Sequence, residues 1–198
     1  MKVLVVVDMQ KDFIDGVLGT SEAQAIVPKV ADAIRNVSED TVVIFTKDTH
    51  EENYMDTLEG KKLPVPHCIR NTKGWLLDDE VCKAYGDVYS HTIRMDDIIP
   101  SEFYGIYNEL YAGIIEKPTF GSITLQNVLY ALDDAQKIEE ITLMGLCTGI
   151  CVMSNAILAK ATLPGVEVNV VADCCACVTP ESHKTALDAM KMCQINII

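Results

Sequence analysis

Short, continuous runs of apolar and β-branched residues alternate along this chain with stretches whose apolar positions recur at helical spacing. The runs predict strands over residues 2–7, 41–46, 112–116, 140–145 and 166–172, with a terminal strand over 194–198. The helical spacing predicts helices over 23–37, 122–135, 150–163 and 181–192. A strand buried on both faces reads as an unbroken apolar run, as Val3-Leu4-Val5-Val6-Val7 does. Such strands alternating with helices imply an α/β fold: a doubly wound, mainly parallel sheet with helices on both faces. Short Pro- or Gly-marked loops join most elements, with no repeat or linker, so residues 1–198 are expected to form a single domain. The exception is the polar segment from Asp48 to about Glu80, expected to be an excursion over the sheet of the kind that often carries function.

Composition narrows the partners. Hydrophobic residues make up 49% of 198, enough for a sizeable core, and the net charge of −13 opposes nucleic acid phosphates and anionic membranes. No apolar run is long enough to cross a bilayer, and Met1 to Asp8 is too short and too soon charged for a signal peptide. The eight cysteines lack the dense, secreted disulfide design, which points to a reducing cytoplasm. Cys147 and Cys151 are separated by three intervening residues, and Cys174, Cys175 and Cys177 contain no paired CxxC; the cluster is expected to pack at a strand end rather than hold structural zinc. A small-molecule partner and a homo-oligomeric state are expected.

In an open parallel sheet, chemistry collects outside the carboxyl ends of the strands. Asp8, Asp48, Lys117 and Cys151 each follow a strand-like run. Cys151 follows Gly145-Leu146-Cys147-Thr148-Gly149-Ile150, at the start of a helix whose dipole favours thiolate over thiol and whose free N–H groups can meet an oxyanion. Asp8 can take the thiol proton, and Lys117 can lower the pKa of either neighbour. A second constellation is Asp48-Thr49-His50 with Pro66-His67, an open N/O set for a divalent metal, with Glu59 and Asp56 as further candidates. No GxGxxG or GxxxxGK[ST] sequence offers a phosphate cradle, Lys11 and Phe13 spoil a calcium-loop reading around Asp15-Gly16, and His91 and His183 read as ordinary polar positions.

Five stretches in order resemble the isochorismatase-like cysteine hydrolases, and most of all their nicotinamidase branch: Val7-Asp8-Met9-Gln10-Lys11-Asp12-Phe13, Thr46 to His50, Pro66-His67-Cys68, Glu116 to Phe120 and Gly145 to Val152. The resemblance covers nearly the whole chain and implies a Rossmann-like three-layer α/β/α fold. It further implies a catalytic triad of Asp8, Lys117 and Cys151, and metal ligation by Asp48, His50 and His67. The stretch His50-Glu51-Glu52-Asn53 favours Glu59 over Asp56 as the additional ligand. Also implied are an oxyanion hole from the backbone N–H groups of Cys147 and Cys151, a cis peptide between Leu146 and Cys147, and a divalent metal, zinc first, with iron or manganese as alternatives. The implied reaction is hydrolysis of nicotinamide to nicotinate and ammonia through a Cys151 thioester, in pyridine nucleotide salvage, with Phe13 and Phe120 as substrate contacts. Two other readings stay open: a related amidase for another small amide or carbamoyl compound, and a noncatalytic binding or redox-sensing protein. Three positions depart from the pattern. Gly149 stands where many relatives have Asp, Pro64 where some nicotinamidases place an aromatic residue before Pro-His, and Asn71 where Gly is frequent after the metal-loop His.

Overall fold

Nearly every side chain of β1 (Lys2–Val7) and β2 (Thr41–Asp48) is buried, so these strands lie inside the molecule and not at an edge. The computed structural model describes residues 1–99, 110–111 and 113–198. Beyond β1 and β2 the strands are β3 (Leu110–Tyr111), β4 (Ile114–Lys117), β5 (Glu140–Leu146), β6 (Glu167–Ala176) and β7 (Asn196–Ile197), in the spatial order β3-β4-β2-β1-β5-β6-β7. All pairs are parallel except β3 with β4. The chain leaves β1 toward β2 on one side and later returns to pair β5 on the other. The carboxyl end of β1 is therefore the switch point where an open α/β sheet leaves a crevice.

Helices cover both faces. They are α1 (Lys11–Ile14), α2 (Ser21–Arg35), α3 (Leu58–Lys62), α4 (Asp79–Val88), α5 (Met95–Ile98), α6 (Ile123–Ala135), α7 (Met153–Thr162) and α8 (Pro180–Met192). In α2 the buried residues Ala23, Ile26, Val27, Val30, Ala31 and Ile34 recur every three or four positions, forming one apolar stripe that packs on β6 and α4. Its start is set by Thr20, whose hydroxyl accepts from Ala23 N–H, two residues before the predicted boundary. At α8, Thr179 and Ser182 form a capping box ahead of Pro180.

The predicted strands recur with shifted ends, and Ala112 lies outside the described residues. The strand predicted over 166–172 runs on to Ala176, so Cys174 and Cys175 lie in it and Cys177 just beyond. The helix predicted over 150–163 is a π-helical turn, Thr148–Val152, leading into α7. The polar excursion is more ordered than its composition implied, holding a 3₁₀ turn (Tyr54–Asp56) and α3, and running into α4. The start of α4 carries a legible signal: the Asp78 carboxylate accepts from the N–H groups of Glu80 and Val81, and Asp79 and Glu80 favour the positive end of the helix.

Gly145 is a steric necessity. Its φ is +120°, and a Cβ there would stand 2.1 Å from the carbonyl oxygen of Val7 on the neighbouring strand. One residue later the Leu146–Cys147 peptide is cis, as the family resemblance implied.

Candidate active site

The three carboxyl ends of β1, β4 and β5 bring Asp8, Lys117 and Cys151 together. Asp8 closes β1 with φ of 49°, a left-handed conformation that aspartate tolerates better than most residues. Its Oδ2 lies 2.6 Å from Lys117 Nζ, both side chains being fully buried, and its Oδ1 accepts from Thr46 Oγ1 at 2.6 Å. Lys117 Nζ in turn donates to Cys151 Sγ at 3.5 Å. Burial pushes the Asp8 carboxyl above its ordinary pKa, with Lys117 only partly offsetting it. Burial opposes the charge on Lys117, yet Asp8, Cys151 and Asp48 around it hold the ammonium well above the usual lysine value.

One electrostatic expectation needs correcting. The thiol of Cys151 is raised, not lowered: burial is the largest cause, the nearby carboxylates of Asp8 and Asp48 add to it, and Lys117 offsets only part. A pre-formed thiolate is therefore disfavoured in the free protein. Asp8, one of the groups that raise the thiol, is a carboxylate whose own proton affinity is raised. Such a pair is suited to moving a proton during attack rather than before it.

Beside the triad, Asp48, His50, Glu59 and His67 each offer a ligand atom, all within 4.8 Å of one another. Asp48 Oδ2 lies 3.1 Å from His50 Nε2 and 3.5 Å from His67 Nε2, while Glu59 Oε1 lies 3.7 Å from His50 Nε2. Asp56, the rival for the fourth position, sits exposed on the 3₁₀ turn. The donor set fits a divalent metal for a specific reason. His67 Nδ1 lies 2.8 Å from the Val65 carbonyl, which can only accept, so Nδ1 carries a hydrogen; burial lowers the His67 pKa but the facing Asp48 carboxylate more than offsets it, and without a proton Nε2 would aim a lone pair at that carboxylate. Two electron-rich groups would then face each other there, and a cation between them removes the repulsion. Asp48 Oδ1 is buried without a hydrogen-bond partner, with Lys117 Nζ at 3.5 Å as its nearest charge.

A cavity of about 330 Å³ opens over both groups. Asp48, Glu59, His67 and Cys151 line it together with Phe13, Leu18, Leu63, Phe120, Ile150 and Val178, which supply apolar wall. The Phe13 ring stands against His67 with centroids 5.5 Å apart, whereas Phe120 is 43% exposed at the rim. A mostly apolar cavity with a few convergent polar groups suits a small ring-bearing ligand.

The sequence matches the Isochorismatase domain over residues 2–198. The chain belongs to the isochorismatase family. Within it, the chain is 25% identical to a nicotinamidase of Schizosaccharomyces pombe, over 98% of this chain and 91% of that protein. It superimposes on the crystal structure of a Pyrococcus horikoshii pyrazinamidase in complex with zinc at a TM-score of 0.71, with 26% identity over 100% of this chain and 98% of that one. An N-carbamoylsarcosine amidase of Thermoplasma acidophilum is likewise 26% identical, at a TM-score of 0.65, over 100% of this chain and 95% of that one.

Several residues of this isochorismatase-family site escaped the sequence reading. The fully buried Gln10 accepts from Asp48 N–H through Oε1 at 2.7 Å and donates through Nε2 to the Asp48 carbonyl at 2.8 Å and the Trp75 carbonyl at 2.9 Å. One amide thus fixes the backbone of a candidate metal ligand. Asp12 Oδ2 accepts from Cys68 N–H at 2.7 Å, tying the turn after His67 to α1. Asn155, fully buried on α7, donates to the carbonyls of Cys151 at 2.8 Å and Phe120 at 3.1 Å, and so joins the nucleophile turn to the cavity rim. His183, read as an ordinary position, meets Thr148 Oγ1 at 2.8 Å beneath the nucleophile turn. None of these carries a sequence signal of its own, because their partners are mostly backbone groups remote along the chain. Gly149 also gains a reason: a Cβ there would stand 3.2 Å from Ala186 Cβ on α8 and 3.5 Å from Cys177 Sγ, so its absence admits the close approach of α8.

Proposed function

We propose that this protein is a cysteine amidohydrolase that converts nicotinamide to nicotinate and ammonia. The observation that carries the reading is the buried juxtaposition of Asp8, Lys117 and Cys151, with Cys151 lining an apolar cavity that Asp48, Glu59 and His67 of the candidate metal group also line. Relatives named nicotinamidase and pyrazinamidase over nearly the whole chain support the substrate class.

As Cys151 Sγ attacks the carboxamide carbon, Asp8 takes its proton and a C–S bond forms. The tetrahedral oxyanion is met by the backbone N–H groups of Cys147 and Cys151. Collapse breaks the C–N bond, and Asp8 returns its proton to the departing ammonia. Water then adds to the thioester with Asp8 accepting its proton, the C–S bond breaks, and the thiol is restored. Lys117 stays charged throughout and balances whichever of Asp8 and Cys151 carries the negative charge. Asp48, His50, Glu59 and His67 would hold a divalent ion, zinc in our assignment, which when bound supplies a Lewis acid for a ring nitrogen or a water. Phe13 and Phe120 contact the substrate ring. The protein acts in the cytoplasm, in pyridine nucleotide salvage, as a homo-oligomer.

A second reading, hydrolysis of a carbamoyl compound, is supported by the N-carbamoylsarcosine amidase, as identical to this chain at 26% as the pyrazinamidase is, and by Pro64, which stands where some nicotinamidases place an aromatic residue before Pro-His. Ammonia release from nicotinamide, pyrazinamide and N-carbamoylsarcosine, measured before and after chelation and zinc add-back, separates the two. The nicotinamidase reading expects turnover of the pyridine amide that is lost on chelation and restored by zinc. Turnover of the carbamoyl compound alone, indifferent to chelation, would overturn it.

A further inference from the structure

Three thiols face one cavity, those of Cys147, Cys151 and Cys177, and only Cys151 reacts with the amide in the mechanism above. Strands β5 and β6 pair in parallel with Gly145 beside Cys175 and Leu146 beside Ala176. Cys147 and Cys177 are the residues that directly follow that last pair, one at the end of each strand, and both line the cavity. Neighbouring strands lie about 4.8 Å apart, inside the Cα separation of roughly 4.4–6.8 Å that a disulfide spans. Each of these two thiols is the largest influence on the other's proton affinity. The Ser182 side chain and the backbone groups of Gly149 and Val178 also lower the Cys177 thiol, whose sulfur lies 3.5 Å from where a Cβ at Gly149 would stand. The influence of Cys147 is the largest, and together these groups outweigh burial and lower the Cys177 thiol to about 5, which favours its thiolate.

We propose that Cys147 and Cys177 form a second reactive site, a dithiol that reduces a small hydroperoxide admitted by the cavity and closes to a disulfide. The Cys177 thiolate attacks one peroxide oxygen: an S–O bond forms, the O–O bond breaks, and the leaving oxygen takes a proton to depart as water or an alcohol. Cys147 then attacks the sulfur of the Cys177 sulfenic acid; the S–S bond forms, the S–O bond breaks, and water leaves with the Cys147 proton. With hydrogen peroxide the balance is two thiols oxidised by two electrons in all, one peroxide reduced, and two waters released. The disulfide would join the turn that bears the proposed oxyanion donor to the end of β6. The reactivity itself does not depend on amide hydrolysis.

The test is hydrogen peroxide at one equivalent on the wild-type protein and on Cys151→Ala, followed by denaturation, alkylation of remaining thiols and peptide mapping by mass spectrometry. Both proteins are expected to lose about 2 Da, in a cross-linked peptide joining Cys147 to Cys177, before the exposed Cys82 and Cys193 react, and dithiothreitol restores the mass. Cys177→Ser, with its fold checked by circular dichroism, is expected to lose the cross-link. Oxidation that falls on Cys151, Cys82 or Cys193 while Cys147 and Cys177 remain open to alkylation would overturn the proposal. The maps of the wild type and Cys151→Ala decide it even where Cys177→Ser does not fold.

Discussion

Replacing Gln10 by leucine removes the one side chain that fixes the backbone of Asp48. The substitution keeps the approximate volume but deletes three hydrogen bonds, to Asp48 N–H, to the Asp48 carbonyl and to the Trp75 carbonyl. Leaving a buried polar group without its partner costs about 1–3 kcal/mol. The two Asp48 groups lie in a residue 2% exposed, and the Trp75 carbonyl is nearer solvent, so the sum falls at about 3–5 kcal/mol. The assay is urea unfolding of wild type and variant, read as a shift in midpoint at constant slope. Gln10→Glu is the informative companion: its carboxylate can still accept from Asp48 N–H but turns an oxygen toward two carbonyls, and it is expected to recover little of the loss. Zinc affinity of a folded variant is expected to fall as well, since Asp48 is no longer held. A destabilisation below about 1 kcal/mol for Gln10→Leu would refute the claim that this amide organises the site.

Other expectations follow from the same geometry. Gly145→Ala would force a Cβ to within 2.1 Å of the Val7 carbonyl oxygen at a φ of +120°, and is expected to lower stability by more than about 3 kcal/mol by thermal or chemical unfolding. Lys117→Met leaves the buried carboxylates of Asp8 and Asp48 without their shared cation; unfolding is expected to register a loss of about 3–5 kcal/mol together with loss of ammonia release. Metal removal is expected to lower the melting temperature, and zinc at about 1,000 times its dissociation constant to return roughly 4 kcal/mol, readable by calorimetry.

The centre of the sheet was legible because its strands are buried on both faces: Val3 to Val7 and Val42 to Phe45 have no polar residue to confuse the pattern. Boundaries were less so, since Thr20 caps α2 through a hydrogen bond that spacing alone does not reveal. Asp8, Lys117 and Cys151 could be singled out because each ends an apolar run, and the family resemblance named their roles. The direction of the Cys151 shift could not be read, because the helix-start argument is local whereas the burial and the carboxylates that outweigh it come from β1 and β2. Gln10 and Asn155 were invisible for the same reason: they act on backbone groups of residues far away in sequence. That Cys147 and Cys177 line one cavity emerges only from the fold, which pairs β5 with β6 up to the residues just before them.

Ammonia release from nicotinamide by the purified, zinc-loaded protein, beside Cys151→Ala handled identically, tests the central claim most directly. The account expects turnover by the wild type and a fall of at least about 1,000-fold in the variant, with its fold and zinc content retained. Equal ammonia release by the two proteins would contradict it.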